Sequence, residues 1–330
     1  MKIAFLTEMN FSGKIPELHK NMRTEFAWMY ALEADHFYIE NWSNVIGYDY
    51  VMIIFPKGEV FLNAVGAKIK EGYNSKSSLL SSSIILDLKS KNKFVCSIQE
   101  GPTWLCNDLE LVDQFNFYNR LVECDILFAH NKYDTSWYKG LFPGKRVEVM
   151  PTLMIESLLT NVVPTKNNKV ILGGNFSRWY GGFQSFIVAE EFNCEKYVQT
   201  SHSSRPGEDN VPGLSVLPRL FWYDWMTNLS TFKYAVHMMP TVAAGTFSLN
   251  CAYFGIPCIG NKNVDTQVEC FPDLSFYPED VEGARYMAKK LYEDENFYIK
   301  CSEFSKNVYK EKFTLKSFKN KLNDILSNIH

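Results

Sequence analysis

The sequence lacks any run approaching the roughly 18 apolar residues that a membrane-spanning helix needs. Its opening, Met1-Lys2-Ile3-Ala4-Phe5-Leu6, is apolar over too short a stretch for a secretory signal and has no small-residue cleavage site. It reads as a first β-strand. Eight cysteines are present but none forms a C-x-x-C pair, so neither a disulfide framework nor a zinc ribbon is expected. Cys96, Cys251 and Cys258 fall inside expected strands or helices, where a free cysteine is a small core residue. A reduced, cytoplasmic setting follows. Charge of one sign is also missing: the net charge is −3, which removes a global electrostatic case for nucleic acid or an anionic membrane. No D-x-D occurs and no His/Cys/Asp cluster has ligand spacing, so no metal is expected to be required, although assistance by a divalent ion stays open. No G-x-G-x-x-G follows a strand, which argues against an NAD enzyme.

What is present suits two domains of ordinary size: 330 residues, 46% hydrophobic and 15% aromatic. In the first half, Ile3–Thr7, His36–Glu40, Tyr50–Phe55, Lys93–Ile98 and Asp125–Ala129 read as short apolar strands. Between them Glu17–Ala34, the Ser-rich Ser75–Leu88 and Leu109–Val122 read as helices. Asn161–Asn168 is polar, holds a proline and has no period, and is expected to link the halves. The alternation then restarts with strand Val170–Gly173, helix Gly182–Phe192, strand Lys196–Thr200 and a surface loop over Ser201–Gly213. Helix Trp222–Thr231, strand Tyr234–Met238, helix Phe247–Phe254 and strand Cys258–Gly260 follow. Three helical segments, Val281–Tyr292, Asn296–Lys310 and Leu315–Asn328, close the chain. Short apolar strands alternating with helices imply parallel sheets covered on both faces. The expected domains are 1–160 and 169–312, joined by 161–168, with 313–330 returning towards the first.

The most informative segment is Lys169-Val-Ile-Leu-Gly-Gly-Asn-Phe-Ser-Arg178. A strand ends in Gly173-Gly174, and Asn175, Ser177 and Arg178 lead into a helix. Glycine lets the backbone approach a phosphate, and a helix N-terminus offers free N–H groups and positive dipole. Arg178 has the fork geometry to hold a diphosphate and neutralise its growing charge. A plain packing turn with Arg178 on the surface is the alternative. Further on, strand 234–238 runs through a loop to Gly245 and the helix at Thr246, placed to cap it. Gly255-Ile256-Pro257 then turns into the next strand.

These two segments resemble the GT-B glycosyltransferases, and the Gly-Gly-Asn-Phe-Ser-Arg loop is similar to that of bacteriophage DNA β-glucosyltransferases. The resemblance implies a GT-B architecture, two Rossmann-like α/β domains facing across a cleft, with the C-terminal one holding a nucleotide-sugar, UDP favoured. It implies that the diphosphate lies on Gly173, Gly174, Asn175, Ser177 and Arg178, with Gly245 and Thr246. It puts the base beside Leu217 and Pro218, near Tyr223. Asn250 stands where the family usually presents a glutamate to the ribose, exchanging one acceptor for a donor; the sugar and the nucleotide stay open. No cofactor beyond the sugar donor is implied, and the setting becomes host cytoplasm for a phage-encoded chain.

Transfer with inversion needs a base for the acceptor hydroxyl. Glu100 ends the strand Lys93–Ile98 and its extension, where carboxylates of parallel sheets face the ligand crevice, and the family carries an Asp in a matching place. Glu8, after the first strand, competes with it. Ser12, Gly13, Lys57 and Trp104, on loops of the same half, are the candidates for the acceptor. If the resemblance extends that far, the partner is duplex DNA carrying a 5-hydroxymethylpyrimidine, flipped out of the stack. Lys68, Lys70, Lys76, Lys89, Lys91 and Lys93 form a local basic stretch able to follow a phosphate backbone. A glycan, lipid carrier or small metabolite as acceptor is the second reading, and a non-catalytic nucleotide-binding or scaffold protein the third. Oligomeric state has no signature in the sequence.

Overall fold

The computed structural model describes residues 2–7, 9, 11–17, 19–54, 84–99, 101, 103, 111–174, 180–199 and 210–328, with side chains omitted at 112, 113 and 116. The chain divides into two compact units: Met1–Glu17, Glu25–Met150 and Leu322–His330 form one, Leu18–Thr24 and Pro151–Lys321 the other.

The first unit is built on strands β1 (Ile3–Thr7), β2 (Gly13–Lys14), β3 (Asp35–Tyr38), β4 (Tyr50–Ile53), β5 (Phe94–Ile98), β6 (Ile126–Ala129) and β7 (Val147–Val149). They lie in the order β2-β3-β1-β4-β5-β6-β7. Every pairing is parallel except that of the short β2 with β3. β1 and β6 are buried along their whole length, as strands covered on both faces must be. One covering layer packs Ile84, Ile85, Leu88, Phe117, Leu121 and Tyr138 against Leu6, Ile53, Val95 and Leu127. Arg146 donates from Nη2 to the carbonyl of Ile325 at 2.9 Å, tying the end of the C-terminal helix to this unit.

The second unit holds β8 (Asn167–Leu172), β9 (Glu195–Gln199), β10 (Leu214–Leu217), β11 (Phe232–His237), β12 (Cys258–Asn261) and β13 (Ser275–Phe276). Their order is β10-β9-β8-β11-β12-β13, all parallel. This is the doubly wound arrangement, in which the winding reverses between β8 and β11. Helices Val281–Glu293 and Glu295–Lys312 start on Asp280 and Asp294, whose carboxylates accept from Gly283 N and Phe297 N at 3.0 Å. The last helix, Leu315–Ser327, starts on the Glu156 carboxylate, which accepts from Leu315 N at 2.9 Å. A negative charge is favoured at each of these helix N-termini.

One expected helix is mostly absent. Residues 25–31 are helical, but 19–24 are not. Asn21 N donates to His19 Nδ1 at 3.2 Å, Arg23 Nε donates to Asn21 Oδ1 at 2.7 Å, and Thr24 has a φ of 47°. Such local side-chain bonds compete with the helical ladder. The Lys20 carbonyl accepts instead from Trp222 N, 2.9 Å away. Helix Lys132–Leu141, capped by Asn131, and strands β7, β10 and β13 were not foreseen. β8 starts at Asn167, inside the segment expected to be a linker. Of the Ser-rich helical stretch only 84–90 is described and is helical.

Lys166, just ahead of β8, is half-buried and forms no ion pair with a carboxylate among the described residues. Its Nζ donates to the Gly255 carbonyl at 2.7 Å and the Ser302 hydroxyl at 2.9 Å, over the Tyr298 ring. Burial, with Lys306 and Lys233 repelling it, pushes its pKa down to about 8. The unfolded chain then binds more protons than the folded one between about pH 8 and the ordinary lysine value, so this group adds stability as pH rises through that window. Urea denaturation at pH 7.5 and pH 9 should show the wild type gaining on Lys166→Met with rising pH; a constant difference would remove the buried-cation account.

Candidate functional site

Ligands of doubly wound sheets sit outside the carboxyl ends of the strands, at the reversal point. Here that point is the end of β8 beside the end of β11. Gly173 N donates to the Val236 carbonyl at 2.8 Å, prolonging the pairing by one residue. A Cβ on Gly173 would lie 2.5 Å from Cγ of His237, so only glycine lets the turn lie flat on that ring. His237 is half-buried, yet its Nε2 is sealed from solvent and has no hydrogen-bond partner among the described residues. The ring stacks on Tyr180 (centroids 6.5 Å apart, 21° between planes) and meets the edge of Phe247 at 5.1 Å. Burial lowers its pKa to about 4, so it is neutral at pH 7.

The helix Thr246–Phe254 begins at the same edge. Its N-cap is Gly245 (φ 78°), with no side-chain cap. The expectation that Thr246 caps this helix is therefore corrected. Thr246 is its first residue, and its hydroxyl lies 3.0 Å from that of Thr152. The reason is packing at Gly245: a Cβ there would strike the Thr266 hydroxyl, which donates to the Gly245 carbonyl at 2.9 Å. Glycine at the N-cap gives the first N–H groups of the helix no side-chain bond. One turn along, Asn250 is 2% exposed, and its Oδ1 has no partner among the described residues. Leu217 ends β10, Pro218 follows it, and Tyr223 lies in helix Trp222–Leu229. Gly173, Gly174, Gly245, Thr246, Leu217 and Pro218 thus belong to the C-terminal edge of one sheet. Asn175, Ser177 and Arg178 lie outside the described residues.

In the first unit, the loop after β1 is held by His36, which is fully buried. Its Nδ1 lies 2.7 Å from the Phe11 carbonyl and its Nε2 2.6 Å from the Thr7 hydroxyl. A carbonyl only accepts, so Nδ1 carries the proton and Nε2 takes the hydroxyl hydrogen. Thr7 Oγ1 in turn accepts from Met9 N at 3.1 Å. Ser12 is exposed, and Gly13 pairs with His36 at a φ of 118°. Glu8, Lys57, Glu100 and Trp104 lie outside the described residues, as do Lys68, Lys70 and Lys76. Of the remaining basic stretch, Lys89 is neutralised by Asp125 at 3.1 Å and Lys91 lies over Trp42. Among the described residues no three His, Cys, Asp or Glu side chains gather to hold a metal, and no helix is long and apolar enough to cross a membrane.

Sequence reasoning missed His237 and the positioning role of His36. The signal for the first was available: a histidine at the end of a central parallel strand, in the sheet that carries a Gly-Gly turn.

No protein-family model matches the chain, and no curated protein matches it in sequence. Solved structures do match. The Anabaena protein HepE, in complex with UDP and glucose, aligns over 100% of both chains at a TM-score of 0.69 and 9% identity. The chain has the GT-B fold. Sucrose-phosphate synthase from Thermosynechococcus elongatus aligns over 100% of this chain and 99% of its own, at 0.68 and 8% identity. An alpha-glucosyltransferase in complex with UDP and a 13-mer DNA containing an HMU base aligns over 99% of both chains, at 0.64 and 11% identity. The expected fold class stands, while the expected β-type kinship finds no counterpart among these three names.

The contacts predict that Gly173→Ala, by driving a methyl group into His237, destabilises the protein by about 1–3 kcal/mol. His36→Phe, which takes the imidazole donor from the Phe11 carbonyl and the acceptor from the Thr7 hydroxyl hydrogen, should cost a similar amount. Chemical denaturation measures both; wild-type stability in either would remove the packing or hydrogen-bond role assigned here.

Proposed function

We propose that this protein is a glycosyltransferase that takes its sugar from a UDP-sugar bound at the end of β8 and β11. What supports the reading most is the convergence, at one sheet edge, of a flat Gly-Gly turn, an uncapped helix N-terminus and the unsatisfied Asn250 Oδ1. A diphosphate accepts from the first two, and a ribose hydroxyl donates to the third. UDP in the matched HepE complex agrees with this choice of nucleotide. Arg178 neutralises the diphosphate as it leaves.

In the transfer, the acceptor oxygen bonds to the anomeric carbon while the bond from that carbon to the diphosphate breaks. UDP departs with the electron pair, and the acceptor proton passes to Glu100, or to Glu8 if that loop carries the base. The acceptor we favour is a hydroxymethylated pyrimidine in DNA, on the strength of the full-length match to a transferase in complex with such DNA. A small carbohydrate acceptor is the second reading, favoured by the equally complete match to sucrose-phosphate synthase and by the net charge of −3.

Three measurements test this. In a thermal-shift panel, a UDP-sugar at 100 times its dissociation constant should add about 2.7 kcal/mol of stability, while GDP-sugars and NAD add little. Silence from every nucleotide would favour the scaffold reading. Arg178→Ala should erase the shift, whereas Glu100→Gln should keep it and lose transfer; an active Glu100→Gln with a dead Glu8→Gln moves the base to Glu8. The anomeric configuration of the product, read by NMR, separates an inverted product, which Glu100 serves as direct base, from a retained one, which it does not.

A further inference from the structure

Gln99 directly follows β5, at the C-terminal edge of the first unit's sheet. It is 1% exposed, and neither its Nε2 nor its Oε1 has a hydrogen-bond partner among the described residues. Two residues earlier, Ser97 is equally buried and its hydroxyl equally unpartnered there. Side chains of a strand alternate between faces, so Val95, Ser97 and Gln99 continue one face. It is the face on which Val95 packs with Leu6, Ile53 and Leu127. Along it the side chains turn from hydrocarbon to hydroxyl to amide as the strand reaches the edge where ligands of parallel sheets bind. Packing alone calls for leucine or valine at the last position, because a sealed amide with both ends unsatisfied is destabilising.

We propose that Gln99 is a specificity-determining residue that reads the hydrogen-bonding edge of the acceptor base. The inference rests on the DNA-acceptor reading above. A primary amide places a donor beside an acceptor, and a pyrimidine edge presents the complementary pair, so two parallel bonds form at once. A phosphate offers acceptors only and would leave Oε1 unsatisfied. An enzyme acting on a base turned out of the stack reads that edge in its pocket, and Gln99 supplies the matching group.

The test uses the full chain, UDP-glucose and two oligonucleotides, one with 5-hydroxymethyluracil and one with its N3-methylated form, whose edge is blocked. Wild type should lose about 5- to 150-fold in kcat/KM on the blocked acceptor, mainly through KM. Gln99→Leu should lose a comparable factor on the open acceptor and show no further loss on the blocked one. Its UDP affinity should stay at the wild-type value and its melting temperature should stay level or rise, opposite in sign to the loss of activity. Equal responses of wild type and Gln99→Leu to the blocked edge would overturn the proposal and leave Gln99 holding an ordered water. Gln99→Met carries the same comparison if the leucine variant does not fold. Wild type that transfers glucose to a carbohydrate and to neither oligonucleotide would instead sink the DNA-acceptor reading, and Gln99's role with it.

Discussion

The contact between Gly173 and the ring of His237 fixes the geometry of the C-terminal edge of the second unit's sheet. β8 and β11 are the central strands, and the sheet's winding reverses between them. The pairing runs one residue past β8, through Gly173 N to Val236 O, and brings the turn down onto the histidine. Any side chain at 173 would lift that turn away. The same ring meets Tyr180 and Phe247, so the helix that starts at Thr246 is set against the glycine turn by one shared aromatic surface.

Much of this was legible because the chain obeys simple periods. Strands such as Ile3–Thr7 and Ile126–Ala129 are short, almost wholly apolar and buried along their length, and read directly as parallel strands. The terminal helices were legible from their 3.6-residue period. The failures have local causes. The 17–34 segment has a helical pattern, but His19, Asn21 and Arg23 bond to one another and to the backbone, and the Lys20 carbonyl goes to Trp222, far along the chain. No window-based pattern contains that partner. β10 and β13 are edge strands, short and only half-buried, so alternation has little to act on.

The candidate site was legible in type more than in role. Gly-Gly after a strand pointed to the C-terminal edge of the second unit's sheet, yet Thr246 was assigned the cap that Gly245 forms. That assignment follows ordinary N-cap preference. It failed because Thr266 occupies the space a Cβ at 245 would need, a tertiary fact absent from the local sequence. His36 and His237 were passed over for a related reason. His36 is fully buried and His237 half-buried, but what matters is what each ring touches.

The protonation state of His237 constrains how the proposed donor site would hold a diphosphate. A histidine whose pKa has fallen to about 4 carries no charge at neutral pH. In that state it does not help neutralise the negative charge that grows on a leaving UDP. Its nearest neighbours, Tyr180 and Phe247, are aromatic and uncharged as well. The helix at Thr246 contributes only the partial positive charge of its first turn, and Asn250 offers a neutral amide. The balance must come from a full cation, and in the proposed donor set that cation is Arg178. A neutral His237 is useful in this arrangement for a different reason: it gives the glycine turn a flat, rigid support whose charge does not change between pH 5 and 8.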